Sequence, residues 1–227
     1  MAKKFNNTLK VTLSIIAIVL SGAFIVWMSM DPSISIKMEP HLALGHGMGE
    51  ETIKMLGDKG GEVVLVTQDT RKIKIPVLDA QTKAFIDALK DSKVTVKVTE
   101  YILEEEMIGG ALPGGMQMPG QTFFRVIQKH PKVAAIVSFA GLPGVNDEQM
   151  AALGEHIPKC IAYDGFSLRL QPVIENIENH IVQVAIIPNQ TGYDPAKAKN
   201  PETLREWFDR YYQVVTEKNV DKLLEEP

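Results

Sequence analysis

The side chains that could do chemistry in this sequence stand just behind short apolar runs. "CIAYDGFS", residues 160–167, breaks off at Asp164 and Gly165, and "EVVLVTQDTR", residues 62–71, breaks off at Asp69 and Arg71. Carboxylates and a guanidinium placed there can make charge-assisted hydrogen bonds to a ligand, roughly twice as strong as neutral ones. Asp69, Arg71 and Asp164 are therefore the candidate ligand-binding residues. Asp164 has a structural alternative, because Asp, Asn and Ser at a helix start accept from free amide groups, and Ser167 is an equal candidate for that cap. Arg71 has one too, as a surface charge on a loop.

Other chemistries find no support. His41, His46, His130, His156 and His180 are scattered without an i, i+4 pair or a clustered acid, so no metal site is expected. "GGALPGG", residues 109–115, has no lysine and hydroxyl residue behind its last glycine, which a phosphate loop requires. "GFSLR" around Ser167 lacks the tight GxSxG turn of hydrolases. Cys160, the single cysteine, sits inside an apolar run and reads as a buried, inert thiol. No nucleophile, base and orienting group can be assembled, so neither an enzyme nor a cofactor is expected. A formal charge of -4 provides no basic footprint for nucleic acid.

The elements that must position these residues alternate along the chain. Strands are expected at 62–67, 94–102, 133–139, 159–164 and 181–187, with helices at 48–58, 79–91, 121–130, 146–155 and 167–178. This repetition predicts an α/β fold: a single Rossmann-like or flavodoxin-like lobe whose parallel sheet is flanked by helices on both faces. In such sheets ligands sit beyond the carboxyl ends of the strands. Asp69, Arg71 and Asp164 belong to that rim by position. The stretch 104–121, rich in glycine and carrying Met107, Met116 and Met118, reads either as a binding loop or as an unstructured excursion. In 201–215, Leu204, Trp207, Phe208 and Tyr211 follow i, i+3, i+4, i+7 spacing and form one apolar helical face, expected to pack on its own sheet.

Several stretches occur in an order that resembles the type I periplasmic sugar-binding proteins. They are "GEETIKMLGDKGGEVVLVTQD", "AQTKAFIDAL", "VIQKHPKVAAIVSF", "IAYDGFSLRLQPVIENIENHIVQVAI" and "VVTEKNVDKL". The similarity covers roughly residues 45–227 and corresponds to the second lobe and C-terminal segment, with the first lobe absent. It implies an extracytoplasmic domain binding a sugar or polyol, in transport or sensing, with a partner protein or second copy supplying the other lobe. The chain departs from the family at Phe139, Ala140 and Gly141, where an asparagine and an aspartate are usual, and near Ile186, where a glutamine is frequent. Those departures leave open an interaction or scaffold module that kept the lobe fold and lost its ligand.

Residues 11–30, "VTLSIIAIVLSGAFIVWMSM", carry no charge over about the ~20 residues that cross a hydrocarbon core. Lys3, Lys4 and Lys10 precede them without an acid, which puts the N-terminus in the cytoplasm and the remainder outside it. The domain plan is thus 1–30 for the cytoplasmic tip and membrane anchor, 31–44 for a linker and 45–227 for the α/β domain. This makes a single-pass protein of the bacterial cytoplasmic membrane. Ser21 and Ala23 are also spaced like a signal-peptide cleavage site. N-terminal sequencing of membrane-extracted protein separates the two readings: an anchor leaves the N-terminus intact, and a mature chain beginning at Phe24 overturns it.

Overall fold

The computed structural model describes residues 17, 18, 21, 37–70, 74–102, 117–153, 157–165, 170–189 and 201–224, in two units, Met1–Lys37 and Met38–Pro227. Among the described residues no helix is long and apolar enough to cross a membrane. The expected anchor, 11–30, lies outside them except for Ala17, Ile18 and Ser21, as do Arg71, Ser167 and most of 104–121.

Within Met38–Pro227 the chain runs α1 (Glu39–Leu56), β1 (Gly61–Gln68), α2 (Pro76–Ala88), β2 (Val94–Ile102), β3 (Met118–Pro119) and α3 (Gly120–Lys129). It continues through β4 (Ala135–Ser138), β5 (Pro143–Gly144), α4 (Asp147–Leu153), β6 (Lys159–Tyr163), α5 (Gln171–Glu178), β7 (Val184–Pro188), α6 (Leu204–Tyr211) and β8 (Tyr212–Val215). The main sheet has the order β2-β1-β4-β6-β7-β8, and every neighbouring pair is parallel except β7 with β8. The expected α/β lobe is present, with the expectation of a wholly parallel sheet corrected at its last strand. "YQVV" contains two β-branched residues and leaves the helix after Tyr211, so the 201–215 stretch holds an eight-residue helix followed by a four-residue strand.

Alternation along the strands divides the core into two layers. Val63, Leu65, Val137, Ile161 and Ile186 pack with Leu44 and Met48 of α1, Phe85 of α2 and Phe208 of α6. Val64, Val66, Ile136, Cys160 and Ile187 face the other way, onto Phe123 and Val126 of α3 and Val173 and Ile177 of α5. Burial pushes the Cys160 thiol up to about 12, which keeps it protonated and unreactive. On β2 the pattern inverts midway: Val94 and Val96 join the first layer, Val98 and Ile102 the second. The cause is a bulge, since Val63 pairs with Val96 while Val64 pairs with Val98. Lys97 is the extra residue, and its ammonium lies 3.0 Å from Glu62. A bulged lysine on an edge strand also discourages another chain from adding to the sheet.

α1 begins at Glu39, inside the segment expected as linker. Pro40 is tolerated there because the first turn of a helix has no use for its missing N–H. Three glycines of α1 are points of close approach. A β-carbon on Gly45 would strike the Gln81 carbonyl oxygen of α2, one on Gly47 the ring of Phe208, and one on Gly49 would lie 2.7 Å from Ala88 Cβ. α6 is held against α1 a second way. Arg205, stacked 5.1 Å from the centre of the Phe208 ring, reaches Glu50 at 3.0 Å and the buried Glu51 at 3.5 Å. Thr203 and Glu206 close a reciprocal cap over the first turn of α6.

Gly45→Ala tests this packing sharply because the two contributions have opposite signs. Helix propensity alone favours alanine by about 1 kcal/mol, whereas overpacking against a backbone atom costs about 1–3 kcal/mol. The variant is expected to unfold at lower urea concentration than wild type. A raised midpoint would refute the close approach of α1 and α2.

Candidate functional site

After β1 the chain turns through α2 to β2 on one side. It then crosses by α3 to β4 on the other side, and all later strands extend that way. β1 and β4 are therefore the pair between which the connections diverge, and their carboxyl ends leave a crevice. A cavity of about 240 Å³ lies there. Its floor and walls come from Gln68 at the end of β1, Phe139, Ala140 and Gly141 behind β4, Tyr163 at the end of β6 and Gly165 behind it. Its roof comes from the first turns of two helices: His41 of α1, with Ile75, Val77, Leu78 and Gln81 of α2.

Local chemistry explains each wall. Gly141 adopts φ 94, a backbone region that favours glycine. The Ser138 hydroxyl accepts from the Ala140 amide at 3.2 Å and donates to the Gly141 carbonyl at 2.8 Å, fixing this turn. Phe139 is held from behind by an edge-to-face contact with Phe85, 5.9 Å between centroids. Gly165 is required because a β-carbon there would strike the Tyr163 hydroxyl. Tyr163 packs edge-to-face on Tyr212, whose own hydroxyl donates to the Pro40 carbonyl at 3.2 Å, tying β8 and the start of α1 to this wall.

The polar groups of the cavity are neutral. Burial, and secondarily the Asp164 carboxylate, pushes the Tyr163 phenol up to about 12, so it keeps its proton. Burial lowers His41 below its ordinary value, which leaves an imidazole with one donor and one acceptor. The Gln81 side chain lies 3.3 Å from His41 Nδ1 and is itself buried. Among the described residues no charged side chain lines this cavity, and no three His, Cys, Asp or Glu gather as a metal site. His41, Gln68, Gln81 and Tyr163 thus offer uncharged donors and acceptors over an apolar floor.

Asp69 and Asp164 both stand at this carboxyl edge. The Asp69 amide donates to the Ile102 carbonyl at 2.8 Å and the Asp164 amide to the Ile186 carbonyl at 2.8 Å, each extending a ladder by one residue. Neither is among the residues lining the cavity, whose walls are formed by their neighbours Gln68, Tyr163 and Gly165. Arg71 lies outside the described residues. α5 starts at Gln171, later than the expected 167, with Leu170 as an N-terminal residue that has no side-chain cap and Pro172 in its first turn. Ser167, the other candidate for a cap, lies outside the described residues. Asp164 is 4% exposed and lies close enough to Tyr163 to raise its phenol. Of the lining residues, His41 and Gln81 were not anticipated. Their signal is weak, since they lie forty positions apart and meet only when α1 and α2 pack.

No protein-family model matches this chain, and no curated protein sequence matches it. Its fold, however, is found in solved structures. The arabinose-binding protein AraP of Geobacillus stearothermophilus superimposes with a TM-score of 0.52 and 15% identity over 80% of this chain and 62% of that one. A sugar-binding protein of a sugar ABC transporter from Bacillus halodurans gives 0.52 and 13% over 80% and 64%. A solute-binding protein of an ABC transporter from Burkholderia graminis, in complex with D-arabinose, gives 0.50 and 15% over 79% and 60%. The chain thus has the fold of the type I periplasmic sugar-binding proteins and spans less than two thirds of each of these three.

His41 generates a pH dependence of stability. Its folded value lies below its unfolded one, so between the two the unfolded chain binds more protons and stability rises with pH. The contribution is complete above the unfolded value, about 6.5, and is lost as pH falls below it towards the folded value. Urea midpoints measured from pH 7 to pH 5 should fall more steeply for wild type than for His41→Asn. Parallel profiles would show that His41 is solvated and not part of a closed wall.

Proposed function

We propose that this chain is an extracytoplasmic solute-binding-like domain, anchored in the bacterial cytoplasmic membrane through residues 11–30. In this reading it holds a small uncharged hydroxylated solute, a monosaccharide or polyol, in the crevice between β1 and β4, for sensing or transport. One observation carries it: four neutral donor and acceptor side chains, His41, Gln68, Gln81 and Tyr163, converge on one apolar-walled cavity at the divergence of the sheet. Pockets for drug-sized ligands occupy about 300–1,000 Å³; a cavity of about 240 Å³ suits something nearer one sugar ring. The first turns of α1 and α2 both border it, and the positive ends of their dipoles favour the acceptor oxygens of hydroxyl groups. Asp164, buried beside Tyr163, and Asp69 stand at the same edge without lining the cavity. The likeness in fold to sugar-binding proteins supports the same reading, and a partner protein or second copy closing over the rim belongs to it.

A crevice open on one side leaves its ligand partly in water, so the affinity expected is weak, on the order of millimolar, equivalent to about 4 kcal/mol. Calorimetric titration of the full chain in detergent with L-arabinose, D-xylose, D-glucose and glycerol is expected to give saturable heat with at least one. Gln81→Met and Asp164→Asn should each weaken it. If none of these solutes binds, the interaction or scaffold reading replaces this one.

A further inference from the structure

A second hollow adjoins the first. Leu78 forms a wall of both, and beyond it a groove of about 260 Å³ runs between α2 and the end of the edge strand β2. This groove holds Ile86 and Tyr101, which at 41% and 40% are the exposed large apolar side chains among the described residues of Met38–Pro227. Sharing one groove next to a cavity, they form a small apolar patch there. The polar groups of the groove are Thr67, Thr70, whose hydroxyl donates to the Asp79 carboxylate at 3.3 Å, Thr82 on the next turn of α2, and the Lys83–Asp87 ion pair, 2.7 Å between ammonium and carboxylate.

An aromatic ring accompanied by an aliphatic side chain, hydroxyls and a self-paired lysine and aspartate suits a neutral ligand with apolar C–H faces and hydroxylated edges. A sugar ring has that character. Each hollow has room for about one ring, and Leu78 is a wall common to both. We propose that the ligand is an extended one, a glycan of at least two units, with one unit in the crevice and the next in the groove against Tyr101. This rests on the binding role proposed for the crevice and goes beyond it by making the groove a second subsite.

The test is a titration of the full chain in detergent with three matched pairs: D-xylose and xylobiose, D-glucose and cellobiose, L-arabinose and arabinobiose. For at least one pair the disaccharide is expected to bind roughly tenfold tighter, the difference that about 1.4 kcal/mol makes. Tyr101→Ala, which removes the ring, and Thr82→Arg, which fills the groove from α2, should each abolish that preference. Both should leave the monosaccharide's affinity unchanged, which also reports that the fold is intact. Equal affinities within every pair, or a preference that survives both variants, would overturn the second subsite while the crevice reading stands. Failure of all six sugars would remove both.

Discussion

The crevice depends on how closely α1 can lie against α2. Both helices deliver their first turns to it, and a helix pair normally keeps its axes some 8–10 Å apart because side chains intervene. Gly45 and Gly49 remove those side chains on the face of α1 that meets Gln81 and Ala88. His41, one turn earlier on α1, is thereby brought within 3.3 Å of the Gln81 amide, and the two become one wall. Gly47 does the same towards α6, where the Phe208 ring occupies the space a side chain would need. Glycine within a helix costs about 1 kcal/mol relative to alanine, so three in five residues are a concession that only tertiary packing can offset.

Below the helices, topology supplies the opening. Connections on both sides of the sheet draw away from the β1–β4 boundary and leave a crevice at the carboxyl ends of those strands, bordered by the starts of α1 and α2. The chain then lines the opening with apolar residues behind β4 and a tyrosine at the end of β6. The antiparallel β8 is a structural partner of this arrangement. Its Tyr212 supports Tyr163 from the side and holds the Pro40 carbonyl, so the last strand of the sheet braces the first helix.

Much of the fold was legible because strands buried on both faces are written as β-branched runs. Expected and observed β2 coincide at 94–102, and β1, β4 and β6 differ by a residue or two at their ends. The errors have physical causes. Proline and mixed polarity made the start of α1 look like a linker, although proline suits the first turn of a helix. The regular alternation of "VTVKV" hid the bulge at Lys97, which is visible only in the register with β1. The site was less legible than the fold. Inspection of residues that follow strands reached Ala140, Gly141 and Gly165, while Phe139 to Gly141 stood out for lacking the asparagine and aspartate usual in the family, which left a scaffold reading open. In the proposed reading the same apolar stretch is one wall for an uncharged ligand.

Burial, rather than ion pairing, sets the chemistry of that wall. Taking Tyr163 out of water raises its phenol and taking His41 out of water lowers its imidazole, and both shifts select the neutral form. The ion pairs of the domain lie elsewhere, as with Arg205 and its three carboxylates between α1 and α6, where charge holds helices together. A buried charge facing the cavity would carry a desolvation penalty that only a charged ligand could repay. A neutral lining avoids that penalty and discriminates by hydrogen-bond position: the His41 ring, the Gln68 and Gln81 amides and the Tyr163 hydroxyl can satisfy a ligand hydroxyl as donor or acceptor. Among the described residues the same lining offers a charged ligand no counter-charge, which in the proposed reading favours an uncharged hydroxylated solute.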